Sequence, residues 1–258
     1  MCILLFAMVG MAVGPYLFPV LDGTEQYSGG NVVIDASHKD QGYVHAVYSG
    51  GSSQRLKLRV TKGDKTYTYN LNGNGEYEVF PLQMGDGAYK IEVFKQVSGN
   101  SYSSEFAQTI DVTIAEENIN YLYPSQYVWY EEEGDIVALS EELCGELETD
   151  AEKVEAVKAY IAENMSYDYA KASSVQSGYL PDVEEIIVSH EGICFDLSAV
   201  VASLLRLQYI PVQLVIGYAD GYYHAWNQIL LDGEWQLYDP TMVVTQSSVK
   251  QYVEDQRY

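Results

Sequence analysis

Alternating apolar and polar side chains dominate the chain between residues 31 and 114. Clusters of Gly, Asn, Ser and Asp interrupt the alternation at short intervals and are typical of tight turns. The segments between them predict seven strands, namely NVVIDA, GYVHAVYS, RLKLRVT, KTYTYNL, EYEVF, AYKIEVFK and FAQTIDVTI. Seven short strands joined by such turns indicate an antiparallel β-sandwich of immunoglobulin-like type, with the role of a spacer or binding module.

The pattern changes after Asn118, where an aromatic stretch (YLYPSQYVWY) and an acidic stretch (EEEG) lead into helical spacing. Apolar residues recur at intervals of three and four over 136–147 and again over 151–165, which predicts two amphipathic helices. Asp150 is the expected N-cap of the second helix, because a carboxylate there can accept a hydrogen bond from a free backbone amide.

The most apolar helical run begins at Cys194 and extends to Leu205. Its broad apolar stripe predicts a helix buried at the centre of a second domain. Cys194 therefore stands at a helix N-terminus, where free amides and the helix dipole favour a thiolate. Asp196 works against this with a negative charge one turn away, and Gly192 is expected to relax the backbone before the helix. A lone cysteine is more often structural than catalytic, so other residues must decide.

Two buried strands and a hairpin follow this helix. Segments 212–218 (VQLVIGY) and 223–231 (YHAWNQILL) have the composition of buried strands, and 234–239 (EWQLYD) returns along the second of them. Asp232-Gly233 predicts a two-residue turn between the last two segments. These two segments are therefore expected to pair as antiparallel neighbours, with Leu231 opposite Glu234.

That turn also sets which side chains face each other across the hairpin. With a two-residue loop, Trp226 faces Asp239 and His224 faces Thr241, which makes His224 and Asp239 diagonal neighbours about 7–8 Å apart by backbone. A carboxylate that orients an imidazole is the outer half of a catalytic triad. Together with a cysteine at a helix start, the arrangement favours a triad of Cys194, His224 and Asp239.

Composition narrows the possible partners. The 258 residues include 14 Lys+Arg and 37 Asp+Glu, which give a formal net charge of -23, and hydrophobic residues make up 47%. The apolar content excludes a disordered chain, and the negative charge argues against nucleic acid as a partner. The 24 tyrosines beside 6 phenylalanines suit half-buried strand faces and hint at an extracytoplasmic protein. No nucleotide-binding, zinc or EF-hand motif is present, so we expect neither a cofactor nor a metal.

The N-terminus and the cysteines bear on the compartment. No charged side chain occurs before Asp22, which predicts a signal or membrane-tethering segment, although no Lys or Arg before Lys39 supplies the usual basic start. An apolar element packed on the folded domain is the alternative. Three cysteines (Cys2, Cys144 and Cys194) do not make a complete disulfide framework, and Cys144 is expected to be buried in the first helix. We expect an extracytoplasmic protein.

Three motifs in order resemble the transglutaminase-like superfamily. They are Gly192-Ile193-Cys194-Phe195-Asp196, Tyr223-His224-Ala225-Trp226-Asn227 and Trp235-Gln236-Leu237-Tyr238-Asp239-Pro240-Thr241. Further similarity lies in Asn164-Met165-Ser166-Tyr167-Asp168-Tyr169, and the resemblance covers 151–241. With its preceding β-sandwich, the chain is similar to the bacterial exported type of this superfamily. The sequence departs from many members at Asn227 and Gln228, and little chain follows Thr241.

The resemblance implies a papain-like core with a central helix on an antiparallel sheet, hence an α+β fold for the chain. It implies that Cys194 is the nucleophile, His224 the general base and acid, and Asp239 the orienting carboxylate. His190 is a rival base, disfavoured because it shares a loop with Cys194 and lacks a neighbouring carboxylate strand.

The predicted organisation has four parts. These are an apolar signal or tethering segment (1–29), a β-sandwich domain (30–117), a connector with the first helix (118–150) and a transglutaminase-like catalytic domain (151–258). The expected function is thiol-dependent acyl transfer or hydrolysis at protein or peptide amides, with lysine-bearing substrates attracted by the acidic surface. A cysteine peptidase or amidase and a non-catalytic extracellular binding module are the alternatives, and the oligomeric state stays open.

Overall fold

The computed structural model describes residues 16–258, so the first half of the predicted 1–29 segment and Cys2 lie outside the described residues. The N-terminal strands are β1 (Gln26–Gly29), β2 (Val32–Asp35), β3 (Tyr43–Tyr48), β4 (Leu56–Lys62), β5 (Lys65–Leu71), β6 (Glu78–Pro81), β7 (Gly87–Ser98) and β8 (Ser101–Val112). They form two antiparallel sheets with the strand orders β1-β2-β3-β6 and β5-β4-β7-β8. All seven predicted strands are present, and β1 adds an eighth ahead of them.

The alternation in the sequence separates the two faces of each sheet. In β7, Tyr89, Ile91 and Val93 are fully buried, while the intervening Lys90 is exposed. The sheets meet through rings such as Tyr69 of β5 and Phe80 of β6, whose centroids are 5.3 Å apart. Both sheets contribute to one apolar core. That they form a sandwich of immunoglobulin-like type stays a prediction.

Tyr89 shows one use that this chain makes of its many tyrosines. Its ring is buried in the core, and its hydroxyl accepts a hydrogen bond from the backbone N–H of Met84 at 2.9 Å. The hydroxyl also donates to the carbonyl oxygen of Gly85 at 2.7 Å. The hydroxyl therefore closes the turn before β7, a role that phenylalanine could not fill.

The helices are α1 (Asp135–Cys144), α2 (Asp150–Asn164), α3 (Tyr169–Ser174), α4 (Val183–Ser189), α5 (Cys194–Arg206) and α6 (Pro240–Thr245), with short 3₁₀ turns at Lys39–Gln41 and Ile119–Tyr121. The two predicted amphipathic helices correspond to α1 and α2, and the predicted central helix is α5. Within residues 16–258, no helix is both long and apolar enough to cross a membrane.

The predicted N-cap of α2 was wrong by one residue. Thr149 is the N-cap, and its hydroxyl accepts a hydrogen bond from the backbone N–H of Glu152 at 3.2 Å. The carboxylate of Glu152 in turn accepts from the backbone N–H of Thr149 at 3.0 Å. This capping box satisfies two backbone amides at once, whereas a cap at Asp150 would satisfy one.

The second half of the chain packs helices on a third antiparallel sheet. A short parallel pair, β9 (Ser166–Tyr167) and β10 (Glu191–Gly192), comes before this sheet in the chain and is separate from it. The strands of the third sheet are β11 (Val212–Ala219), β12 (Tyr222–Leu231), β13 (Glu234–Tyr238) and β14 (Tyr252–Arg257), in the order β13-β12-β11-β14. Helix α5 lies across β11 and β12 and is surrounded by α1, α2 and α4. Every residue from Asp196 to Arg206 is buried. The predicted α+β class is confirmed.

Arg206 ties this layer together at the end of α5. It is almost completely buried, and its guanidinium donates to the carbonyl oxygens of Val212, Tyr123 and Tyr258 at 2.7–3.1 Å. Burial lowers the pKa of Arg206 to about 10, which leaves the group charged at neutral pH. One side chain thereby joins the central helix, strand β11, the connector and the C-terminal residue.

Candidate active site

Cys194 is the first residue of α5, and the residues on either side fix its position. Ile193 is the N-cap, and the carboxylate of Asp196 accepts a hydrogen bond from its backbone N–H at 3.0 Å. A Cβ atom on Gly192 would lie 2.7 Å from the Cβ of Asp196. Its φ is outside the left-handed region, so Gly192 is needed for this close approach and not for the backbone freedom that the sequence predicts.

The loop before Cys194 is held by the pairing of β9 with β10. The backbone N–H of Asp168 donates to the carbonyl oxygen of Gly192 at 3.0 Å, and that of Ser166 donates to the carbonyl oxygen of His190 at 2.9 Å. The carboxylate of Asp168 accepts from the backbone N–H of Lys171 at 2.8 Å and caps α3. Asp168 therefore has a structural role.

Asp196 carries a buried charge beside the cysteine, and the fold compensates it. Its Oδ2 lies 2.7 Å from the ammonium of Lys171, and its Oδ1 accepts a hydrogen bond from the hydroxyl of Tyr179 at 2.6 Å. The ammonium of Lys171 also lies 4.4 Å from the centre of the Tyr179 ring. The negative charge of Asp196, which by itself would disfavour a thiolate at Cys194, is thus balanced by Lys171 of α3, 25 residues earlier.

His224 and Asp239 are in direct contact at the other side of the site. Nε2 of His224 lies 2.8 Å from Oδ2 of Asp239, and both side chains are at least nine-tenths buried. Because an ionised carboxylate only accepts hydrogen bonds, Nε2 carries the proton of this pair. The structure therefore brings together the two residues that the hairpin register predicts as neighbours.

The register itself needs one correction. Leu231 lies opposite Glu234, as predicted, but the ladder ends at the pair of Asn227 and Tyr238. The predicted cross-strand pairs of Trp226 with Asp239 and of His224 with Thr241 do not form. The chain leaves the sheet there because Pro240 has no N–H for the ladder and starts α6, with Asp239 as its N-cap.

Asp239 consequently serves two structures at once. Its Oδ1 accepts hydrogen bonds from the backbone N–H groups of Thr241 and Met242 at 3.0 and 3.2 Å, which caps α6. Its Oδ2 accepts from His224 and also from the hydroxyl of Tyr252 at 2.9 Å. Tyr252 lies on β14, in the part of the chain where the sequence suggested an abbreviated end, and no local pattern pointed to it.

The thiol of Cys194 also influences the pKa of the same imidazole ring. Burial alone would lower the pKa of His224, but hydrogen bonding to Asp239 and to Cys194, with the charges of both partners, raises it to about 9. Since Asp239 binds Nε2, Nδ1 is the ring nitrogen that remains for the thiol. At neutral pH this imidazole is therefore mainly protonated.

Trp226 covers the buried side of the histidine. Its ring is 1% exposed and stacks near that of His224, with centroids 6.3 Å apart and planes 21° apart, and it also contacts Tyr252. Gly217 on β11 makes room for it, because a Cβ there would lie 2.9 Å from the Trp226 ring and 2.2 Å from the carbonyl oxygen of Val253. Trp226 thereby packs against both His224 and Tyr252, the two side chains that contact Oδ2 of Asp239.

Two tyrosines, Tyr167 and Tyr223, are near enough to Cys194 for it to affect their pKa values. Burial and, to a smaller extent, the nearby Cys194 raise the pKa of Tyr167 to about 12. Burial and Cys194 also contribute to the raised pKa of Tyr223. Tyr223 is nevertheless 69% exposed, and Cys194 itself is partly exposed. The thiol is therefore accessible at the edge of a tyrosine-lined surface.

The remaining candidates lie elsewhere. His190 ends α4 on the surface with a φ of 56°, and among residues 16–258 it pairs with no carboxylate. Cys144 is buried as expected, and burial raises its pKa to about 11. In the same described range, no three His, Cys, Asp or Glu side chains come together in a way that could hold a metal ion.

This arrangement lies within a recognised family domain. Residues 137–240 match the family model described as the Transglutaminase-like superfamily. The chain therefore carries a transglutaminase-like domain, which runs from α1 to the start of α6 and contains Cys194, His224 and Asp239.

Comparison with individual proteins gives more distant similarities. The chain is 28% identical over 116 residues to human Kyphoscoliosis peptidase, a match that covers 40% of this chain and 17% of that protein. A candidate cysteine protease from Cytophaga hutchinsonii is 18% identical, with a TM-score of 0.45 over 88% of this chain and 75% of that one. The periplasmic domain of TgpA from Pseudomonas aeruginosa is 14% identical, with a TM-score of 0.42, and the match covers 88% of this chain and 77% of that one.

Proposed function

We propose that this chain is a thiol-dependent enzyme that transfers or hydrolyses acyl groups at protein or peptide amide bonds. The observation that carries the proposal is the contact of 2.8 Å between His224 and Asp239, on a ring that also interacts with Cys194. Thiol, imidazole and carboxylate in this order are the groups that nucleophilic catalysis by cysteine uses. The transglutaminase-like domain supports the same chemistry.

In the first step, Cys194 attacks the amide. The raised pKa of His224 allows the ring to hold the proton of the thiol, which leaves a thiolate at the start of α5. The sulfur bonds to the carbonyl carbon, the C–N bond breaks, and Nδ1 of His224 gives its proton to the leaving amine. The backbone N–H of Cys194 has no intrahelical acceptor at this position, so it can donate to the carbonyl oxygen as charge develops there.

In the second step, an amine or a water molecule releases the acyl group. His224, now neutral, takes a proton from the attacking molecule, whose nitrogen or oxygen bonds to the thioester carbon. The C–S bond breaks and its electron pair returns to Cys194 as thiolate. Attack by an amine forms a new amide, and attack by water forms a carboxylic acid. Asp239 keeps the ring in place through its contact with Nε2 in both steps.

Hydrolysis, as in a cysteine peptidase or amidase, is the second candidate function. The partial exposure of Cys194 favours it, because water has access to a thioester formed there. The name of the human relative, a peptidase, points in the same direction.

The compartment and the substrate class belong to the same proposal. We place the protein outside the cytoplasm, from the uncharged stretch before Asp22 and the tyrosine-rich, acidic composition. A net charge of -23 repels acidic substrates and attracts lysine-bearing ones at low salt. Protein or peptide substrates with basic residues are therefore the class to test first.

Glutamine-containing peptides, incubated with and without a primary amine and followed by mass spectrometry, test the reaction. We expect product from the parent protein and from Cys144→Ala, and none from Cys194→Ala. A product that needs the amine identifies transfer, and a product formed in water alone identifies hydrolysis. Absence of both products across a peptide library would overturn the proposal in favour of a non-catalytic binding module.

A further inference from the structure

A second cleft, separate from the residues described above, lies where the N-terminal strands meet the helices. It has a volume of about 660 Å³ and is walled by residues from 72–79, 126–134 and 180–184. Six carboxylates line it: Glu76, Glu78, Glu131, Glu133, Asp182 and Glu184. We call it the acidic cleft.

The negative charge of the acidic cleft is uncompensated. Its lining contains no Lys, Arg or His, and in the part of the chain from 16 to 258 none of the six carboxylates lies within 4.0 Å of a basic side chain. A larger cleft of about 910 Å³ nearby mixes Lys62, Lys65 and Arg257 with two carboxylates. The concentration of carboxylates in the acidic cleft is therefore a local feature and does not simply follow from the net negative charge of the molecule.

Backbone amides, and not cations, hold two of these carboxylates in place. Glu78 accepts from the backbone N–H of Asn72 at 2.5 Å, and Glu184 accepts from that of Ile136 at 3.2 Å. Burial raises the pKa of both Glu78 and Glu184. An entering cation would relieve the energetic penalty of these partly desolvated charges.

Gln126 adds an independent sign of a missing partner. Its side chain lines the acidic cleft and is 8% exposed. Its Nε2 donates to the carbonyl oxygen of Asn70 at 2.7 Å and to Glu78 at 3.2 Å, which fixes the orientation of the amide. Its Oε1 has no hydrogen-bond partner. A buried acceptor without a donor points to a ligand that brings hydrogen-bond donors.

Trp129 supplies an aromatic surface at the same place. Its ring lines the acidic cleft and is 41% exposed, which is unusual for a side chain of this size. An indole face attracts organic cations through its quadrupole. Carboxylates, an unpaired amide oxygen and an exposed indole are together complementary to a cation that carries N–H groups.

We propose that the acidic cleft binds the alkylammonium or guanidinium group of a basic peptide segment. A bare metal ion is a poorer fit, because within residues 16–258 no three acidic, His or Cys side chains are arranged to hold one. The loop from Tyr179 to Asp182, which leads into α4, joins the cleft to Asp196 through the hydroxyl of Tyr179. The idea that the cleft recruits substrate for Cys194 rests on the proposed function, whereas the binding of a basic segment in the cleft does not.

Binding is tested by calorimetry at low ionic strength on the full chain with Cys194→Ala, so that turnover plays no part. The probes are an acetylated, amidated tetralysine peptide, spermine as a free polyamine, and calcium chloride. Glu131→Gln with Glu133→Gln removes two exposed charges from the cleft, and Glu146→Gln with Glu148→Gln removes two exposed charges elsewhere. Trp129→Ala removes the aromatic surface.

We expect saturable binding of tetralysine. The double substitution Glu131→Gln with Glu133→Gln should weaken it about five- to tenfold, and the control substitution Glu146→Gln with Glu148→Gln less than about twofold. Trp129→Ala should weaken it about threefold or more. Binding of spermine with the same dependence supports the same site chemistry from a free polyamine. The proposal would be overturned if the two double variants lost affinity for tetralysine equally, or if neither tetralysine nor spermine bound saturably. Displacement of tetralysine by micromolar calcium would overturn it as well. Loss of catalysis with binding intact would instead contradict only the proposed function.

Discussion

The hydroxyl of Tyr252 donates a hydrogen bond to Oδ2 of Asp239, the same oxygen that binds His224. Burial and the neighbouring carboxylate raise the pKa of Tyr252, so the hydroxyl keeps its proton over the physiological range. Together with the two backbone amides on Oδ1, it leaves the carboxylate little freedom to rotate. Tyr252 is thus a positioning residue for the imidazole, contributed by the strand at the edge of the third sheet.

Replacing Tyr252 by Phe tests this positioning role. Loss of one hydrogen bond to a charged group should lower kcat about five- to tenfold with little change in KM, because the carboxylate is less well fixed. Tyr222→Phe, at an 80% exposed site on β12, makes the same chemical change away from Asp239 and should leave kcat unaltered. Steady-state kinetics, on a peptide that the library assay shows to be a substrate, provides the measurement. Equal kcat values for the two variants would rule out positioning by Tyr252.

Alkylation by iodoacetamide should distinguish the two described cysteines. At about pH 7, Cys194 should react at least about tenfold faster than Cys144, because a protonated imidazole stabilises its thiolate, whereas burial raises the pKa of Cys144. His224→Gln should slow the labelling of Cys194 and leave that of Cys144 unchanged. Peptide mapping by mass spectrometry follows each site. A Cys194 rate that is insensitive to His224→Gln would exclude the activated thiol.

The histidines His45 and His224 should titrate in opposite directions from the ordinary value of 6.5. Both are buried, but burial lowers the pKa of His45, whereas Asp239 and Cys194 overcome burial and raise that of His224 to about 9. Asp239→Asn removes the largest of the raising interactions, so the pKa of His224 should fall while that of His45 stays the same. Titration of the imidazole resonances by NMR measures both. An unchanged pKa of His224 in Asp239→Asn would mean that the carboxylate does not stabilise the charged ring.

Arg206 should be important for stability and not for chemistry. Arg206→Met would leave the carbonyl oxygens of Val212, Tyr123 and Tyr258 without their donor, and we expect a loss of about 3 kcal/mol or more in the free energy of unfolding. Arg55→Met, at an exposed site, should change it by less than about 0.5 kcal/mol. Urea denaturation gives both values. A loss in Arg206→Met as small as in the control would show that water replaces the guanidinium.

Much of the fold could be predicted because local patterns decide it. The alternation in β7 and the apolar stripe of α5 are each contained in a dozen residues, and burial follows them closely. Helices α3, α4 and α6 escaped prediction because each has only six or seven residues, too few to show a helical period. Their N-caps, Asp168, Asp182 and Asp239, are local signals that could have revealed them.

The candidate site was predictable only in part, since several of its contacts join distant parts of the chain. The Asp232-Gly233 turn gave the right register and brought His224 near Asp239. The Asp-Pro step, which is a common start of a helix, explains why the ladder stops before Asp239. Neither Lys171 beside Asp196 nor Tyr252 beside Asp239 has a signature in sequence, because tertiary packing alone brings these pairs together.

The position of Tyr252 also has a consequence for the order in which the parts of the protein are completed during synthesis. The strands of the two N-terminal sheets all lie within residues 26–112, so the hydrogen bonds between them join only residues that are translated early. By contrast, Asp239 accepts a hydrogen bond from Tyr252, and the guanidinium of Arg206 at the end of α5 donates to the backbone of Tyr258. Residues up to 258 must therefore have left the ribosome before the region of Cys194, His224 and Asp239 has all of these contacts.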